Sequence, residues 1–78
     1  MQPQQIDQLE VLLQFDPENY SQGIKIHQKT ADKRLLAAAE QLFNKGLLSQ
    51  PDGGYLTDLG QQACDHIHNA IQLLSPPD

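Results

Sequence analysis

Apolar residues recur along the chain at two different periods, and the changes of period divide it into elements. Ile6, Leu9, Leu12 and Leu13 are three and four residues apart, and Pro3 precedes them at a position a first helical turn tolerates. They predict a first helix over residues 3–14. Val11 lies outside that stripe and Phe15 follows it, so this helix is expected to be covered on more than one side, by its own domain or by a partner. Asp16-Pro17-Glu18 ends it, because the residue before a proline avoids helical angles. With Asp16 as cap and Pro17 after it, the same triplet starts a single loose turn that ends by Gly23. Gly23-Ile24-Lys25-Ile26-His27 then alternates apolar with polar and contains two β-branched side chains, which predicts a short extended segment.

The longest uninterrupted helical pattern comes next. Thr30 supplies a cap, and residues 31–45 lack Gly and Pro and are rich in Ala, Leu, Lys and Gln. At ~100° per residue, Leu35, Leu36, Ala39, Leu42 and Phe43 fall within a ~120° arc that is expected to face the core. Lys33, Arg34, Ala37, Gln41 and Asn44 occupy the opposite face. Gly46 can adopt the left-handed conformation that ends a helix, with Leu47 as the accompanying hydrophobic contact. Leu47 and Leu48 on one side and Tyr55 and Leu56 on the other then flank Asp52-Gly53-Gly54, which reads as a hairpin. Residues 23–27 are expected to add a third strand beside it.

Thr57 has the side-chain oxygen of an N-cap, and Asp58 places a carboxylate at the positive end of the helix that follows. That helix is predicted from Asp58 to Leu74, with Leu59, Ala63, Ile67, Ala70, Ile71 and Leu74 as its apolar stripe. Ser75-Pro76-Pro77 stops it, leaving residues 75–78 as a disordered tail. Gly60 in its first turn costs stability unless another backbone passes close by, so it is expected to pack on the hairpin or the first helix. The distal half is longer than a small domain needs. Ile67, Ala70, Ile71 and Leu74 are therefore candidates for a homodimer seam, with coverage of the chain's own core as the other reading.

Gly46-Leu47, Asp52-Gly53-Gly54-Tyr55 and Leu56-Thr57-Asp58-Leu59-Gly60 together resemble the C-terminal part of winged-helix domains. There a recognition helix runs through a Gly-Leu pair into a two-stranded wing and then a Leu-Thr-x-x-Gly helix start. Over nearly its full length the chain is also similar to short bacterial proteins labelled as transcriptional regulators or as relatives of inhibitors of DNA binding. The resemblance implies one mainly α domain over residues 1–78 with a small β-hairpin. Its order would be helix, short turn, short strand, helix, wing and long C-terminal helix, a reduced winged-helix-like fold. The full helix that usually precedes a recognition helix has no counterpart here, so the central helix is presented either to DNA or to a protein.

Charge modifies that expectation. The 78 residues carry a net charge of −5, which by itself opposes binding to phosphates. Yet all five basic residues, Lys25, Lys29, Lys33, Arg34 and Lys45, fall between positions 25 and 45, where Asp32 and Glu40 are the acids. Such a split orients a protein on a polyanion, and it also arises by chance in small helical proteins. On the first reading Arg34, Gln41 and Asn44 are placed to read base edges of double-stranded DNA, Ala37 permits close approach, and Lys25, Lys29 and Lys33 hold phosphates. On the second, these residues are an ordinary solvated helix face. No Lys or Arg occurs after residue 45, and Asp52 makes the wing tip acidic.

Other chemistry is sparse. His66 and His68 are two residues apart on a helix and point ~200° away from each other, so they do not share an ion. Cys64 and His68 share a face but fall short of a structural metal set. A lone helical cysteine is more often a small buried hydrophobe than a nucleophile. Neither an enzyme nor a cofactor or metal is expected. No apolar run reaches the ~20 residues of a membrane span, and the first residues lack the features of a signal peptide, so a cytoplasmic location is expected.

Overall fold

The computed structural model describes residues 1–27 and 32–77 and shows three helices and a three-stranded antiparallel sheet. In chain order these are α1 (Pro3–Leu12), β1 (Ile24–Lys25), α2 (Lys33–Asn44), β2 (Leu48–Gln50), β3 (Gly53–Leu56) and α3 (Asp58–Leu74). Helix α1 lies along α2, and β3 is the middle strand of the order β1-β3-β2. Between α1 and β1 the chain makes successive turns closed by Asn19 N–H on Asp16 O and Gln22 N–H on Asn19 O. Thr30, the cap expected for α2, lies outside the described residues, as do Lys29 and Asp78. The described start of α2 is Lys33, two residues later than its sequence predicts, because Asp32 takes the cap and accepts a hydrogen bond from Arg34 N.

Each remaining boundary has a local cause. Gly46, at φ +83°, follows the last turn of α2. Its amide donates to Phe43 O and that of Leu47 donates to Leu42 O, the pair of bonds that closes a Schellman motif. The hairpin turns on Pro51 and Asp52, since Gln50 already pairs with Gly53. Gly53 and Gly54, both at positive φ, therefore belong to β3 and not to the turn tip. Leu48 pairs with Leu56, so β3 holds one residue more than β2 between the two pairs, a β-bulge. Ser49 Oγ accepts from Tyr55 N at 2.8 Å and satisfies the amide that the bulge displaces. On the other edge β1 pairs Ile24 with Gly54 and Lys25 with Gly53, and the ladder continues through Ile26 N–H on Asp52 O. This is the third strand expected from the alternation at residues 23–27.

The core collects Val11, Leu12 and Phe15 from α1 and the turn after it, Ile26 beyond β1, Ala38, Ala39 and Leu42 from α2, Leu48 and Leu56 from the hairpin, and Cys64 from α3. Two expectations about which faces are buried need correction. In α1 the inward stripe is Gln8, Val11, Leu12 and Phe15, while Ile6 and Leu13 are exposed. In α2 the inward side is turned by ~50° from the predicted arc toward Ala38, leaving Phe43 39% exposed. One polar contact accompanies both. Gln8, buried in the α1–α2 interface, donates from Nε2 to Gln41 Oε1 at 2.7 Å and accepts at Oε1 from Lys45 Nζ at 3.0 Å. A polar side chain whose groups are paired in this way can occupy an apolar seam.

Helix α3 has the predicted bounds. Thr57 caps it by accepting from Gly60 N at 3.1 Å, and Ser75 Oγ closes the other end on Ile71 O at 2.9 Å. A Cβ at Gly60 would run into the Leu47 carbonyl oxygen and lie 3.0 Å from Leu56 Cδ2, so the expected close backbone approach comes from the hairpin. Gly60→Ala, which on helix propensity alone would stabilise by up to ~1 kcal/mol, should instead destabilise the protein by ~1–3 kcal/mol. Urea unfolding midpoints of the two proteins decide the sign.

Candidate functional site

The residues singled out on α2 do not form one outward face. At ~100° per residue Arg34, Gln41 and Lys45 group together on the side toward α1, while Lys33, Ala37 and Asn44 group ~80° away from them. The first group is engaged within the fold. Arg34 Nη1 lies 2.8 Å from Asp7 Oδ1 on α1, and its Nη2 lies 3.1 Å from Asp32 Oδ2. Gln41 is half-buried against Gln8, which also takes the Lys45 ammonium. Two of the five basic residues are thus held by α1 or by the cap of their own helix.

The second group borders the hairpin. Lys33, Leu36, Ala37 and Glu40 line one wall of a groove of about 780 Å³, and Gln50, Pro51 and Asp52 line the other. Helix α2 reaches that position because its Schellman turn folds the chain back at once into β2, which brings the Pro51-Asp52 tip alongside the first turns of the helix. Lys25 is exposed on β1 and pairs in register with Gly53, next to the same tip. Asn44 is exposed at the far end of α2. Leu36 and Ala37 on one wall and Pro51 on the other are its apolar lining, with Lys33 as its cation and Glu40 and Asp52 as its acids. Such a lining does not present a uniform positive potential. Sequence reasoning missed Leu36, Glu40, Gln50 and Pro51 as members, because which flank of α2 faces the hairpin depends on the rotation of α2 in the fold.

The seam proposed on α3 is also on the surface. Ile67 is half-buried, and Ala70, Ile71 and Leu74 are exposed. With His66, and with Met1, Leu9 and Leu13 of the N-terminal segment, they line a second groove of about 490 Å³ between α1 and the end of α3.

Among the described residues no three His, Cys, Asp or Glu side chains cluster as metal ligands would. Cys64 is buried, and its thiol donates to Leu12 O at 3.5 Å. Burial first, and then the Asp65 charge beside it, push that thiol up to about 11. Tyr20 donates to Asp65 Oδ1 at 2.6 Å. Burial, this bond and the Asp65 charge raise the phenol well above its ordinary range, so neither group is set up as a nucleophile near neutral pH. No described helix is long and apolar enough to cross a membrane. The chain belongs to a family of unknown function (DUF5669), whose model matches residues 1–75. No curated protein and no solved structure matches it.

Two measurements check these assignments. Compared with the urea-unfolded chain, alkylation of Cys64 at pH 8 should be at least ~100-fold slower in the folded protein, since a rise of about two pH units in thiol pKa removes that much thiolate. The Arg34 amide, and then its guanidinium, hold the Asp32 carboxyl below its ordinary value of 3.8. Stabilisation of α2 by this cap is therefore complete above that pH and is lost as the pH falls through the depressed value. An amide titration at Arg34 should show a midpoint below 3.8, absent in Asp32→Asn.

Proposed function

We propose that this protein is a non-enzymatic interaction module on a winged-helix-like frame, and that the α2–hairpin groove takes a segment of another protein. The observation that carries this reading is the lining itself, in which one cation and two acids accompany apolar Leu36, Ala37 and Pro51. A polyanion gains from a surface where cations outnumber acids, because its affinity comes from phosphates neutralised and counterions released. A protein segment gains from apolar burial with a few oriented charges around it. The two acids and the net charge of −5 favour a segment whose apolar side chain is flanked by Lys or Arg. Support for the frame comes from the chain order of helix, strand, helix, hairpin and helix, with the added strand on the hairpin's edge.

A second reading keeps double-stranded DNA as the ligand and transcriptional regulation as the role. It rests on the clustering of basic residues and on the exposure of Lys25, Lys33, Ala37 and Asn44 around one end of the sheet and one side of α2. Arg34 contributes little to it while Asp7 and Asp32 neutralise its charge.

Both readings meet in one pair of experiments. With a photo-crosslinking residue at position 37, adducts in cells should contain protein, and a probe at Glu18 should give none of the same adducts. In parallel, a 20-base-pair duplex at ~150 mM salt should bind no tighter than ~100 μM, the weak limit of non-specific association. Asp7→Asn with Asp32→Asn, which frees Arg34, should strengthen that binding. Nucleic-acid adducts at position 37 would overturn the first reading in favour of the second, and so would micromolar duplex binding by the unmodified protein. In that case the slope of log affinity against log salt should lie near −1.8 to −2.7, for two or three phosphates, and Lys33→Ala should reduce it by about one.

A further inference from the structure

We infer that the groove between α1 and the end of α3 is covered by the α3 end of a second copy, whose own groove is covered in return, making an isologous homodimer through α1 and the distal part of α3. This face is separate from the α2–hairpin groove, and the inference stands without the reading given for that groove.

The distal part of α3 extends past its own domain. Gly60, Cys64, Ile67, Ile71 and Leu74 follow each other at intervals of four, three, four and three, a single packing stripe. Its first half is used internally, for Gly60 and Cys64 are buried and Ile67 is half-buried. Its second half is bare, with Ile71 44% and Leu74 84% exposed. On α1 and at its C-terminal end, Leu9, half-buried, and Leu13, 43% exposed, bound the same groove. Helix α3 thus ends in two turns with little cover from its own domain, and a helical segment gains most of its stability from cover.

Charge selects the occupant. Every acid on α1 and α3 lies outside the groove lining: Asp7 is held by Arg34 and Asp65 by Tyr20, while Glu10 and Asp58 are exposed elsewhere on their helices. Between Asp65 and Pro77 the sequence has no Asp, Glu, Lys or Arg at all. A basic helix from another protein would find no carboxylate at the lining to select it. A second copy of an acidic chain needs this kind of face, because two molecules of net charge −5 repel wherever their fixed charges are brought together. Two-fold symmetry lets each α3 end cover the partner's Leu9 and Leu13 while its own groove is covered in return, so the contact closes on itself.

Sedimentation equilibrium of the full chain from ~1 μM to ~1 mM, the range of ordinary dimer affinities, tests this directly. The mass should rise to twice the 8.7 kDa of the monomer and no further. Ile71→Glu and Leu74→Glu sit beyond the domain body and leave its core intact, and each should weaken association at least ~100-fold by placing a carboxylate in the seam. Leu73 does not line the groove although it is 86% exposed, so Leu73→Glu should leave the dissociation constant within about threefold of the unmodified value. A monomer throughout that range would overturn the inference and leave the groove to a different protein. It would equally be overturned by a dimer that survives both groove substitutions, by one that Leu73→Glu disrupts as strongly, or by open-ended assembly.

Discussion

The junction built around Thr57 governs how the three parts of the molecule sit together. Its hydroxyl donates to the Gly46 carbonyl and accepts from the Gly60 amide, and its backbone amide donates to Leu47 O. One residue therefore ties the end of α2, the return strand of the hairpin and the start of α3 at a single point. The same Leu47 carbonyl that receives the Thr57 amide fills the space where a side chain at position 60 would stand. Because the approach is between backbones, little side-chain adjustment can relieve it. The direction in which α3 leaves the sheet follows from this junction, and so does the length of helix left projecting beyond α1.

The hairpin adds a second constraint of the same kind. Strand β3 has a neighbour on each edge, and its two glycines stand where a Cβ would meet Ile24 O on one side and Ser49 Oγ on the other. A central strand this short buries little side-chain area, so its position depends on backbone pairing and on the bulge that Ser49 satisfies. That pairing holds the Pro51-Asp52 tip beside α2 and gives the first groove its second wall. The first groove thus depends on the close backbone approach at Gly53 and the direction of α3 on the one at Gly60, although side chains supply the chemistry of both grooves.

Features whose cause is local were legible in the sequence. The C-cap at Gly46, the existence of the hairpin, the Thr57 cap, both ends of α3 and the extended segment before α2 follow from residues within a few positions of each other; the hairpin's tip was misplaced, since it lies at Pro51-Asp52 and the Gly53-Gly54 pair belongs to β3. The rotations of α1 and α2 were only partly legible: the stripe Gln8-Val11-Leu12-Phe15 contains a glutamine and shares only Leu12 with the predicted Ile6-Leu9-Leu12-Leu13, although Val11 and Phe15 had marked a second covered side. The pairing of Gln8 with Gln41 and Lys45, more than 30 positions away, is what lets a glutamine stand in the inward stripe beside Val11, Leu12 and Phe15. For the same reason the sequence suggested a single polar face on α2 that the fold divides in two. Asp32 beside Arg34 was visible as a local pair, whereas Asp7 is 27 positions away and reaches the guanidinium only because α1 lies along α2.

The division of charge along the chain has a structural use that differs from the one its pattern first suggests. A cluster of cations in an acidic sequence looks like a patch for an external polyanion, yet two of its members are held at contacts that fix α1 on α2. Arg34 bridges Asp7 and the Asp32 cap, and Lys45 completes the Gln8 pair. Exposed ion pairs such as those of Arg34 add little stability individually, and the part-buried Lys45–Gln8 bond is a hydrogen bond to a neutral amide. The Asp7 and Gln8 contacts lie on the sides of α1 and α2 that face each other, and the apolar residues on the far side of α1 remain outside. With Gln8 inward, Leu9 and Leu13 are left on the flank of α1 that faces α3, beside Ile71 and Leu74. The polar contact on one side of α1 and the uncovered apolar groove on the other are two results of one rotation. Changes that loosen the Gln8 contact would therefore alter the groove as well as the core.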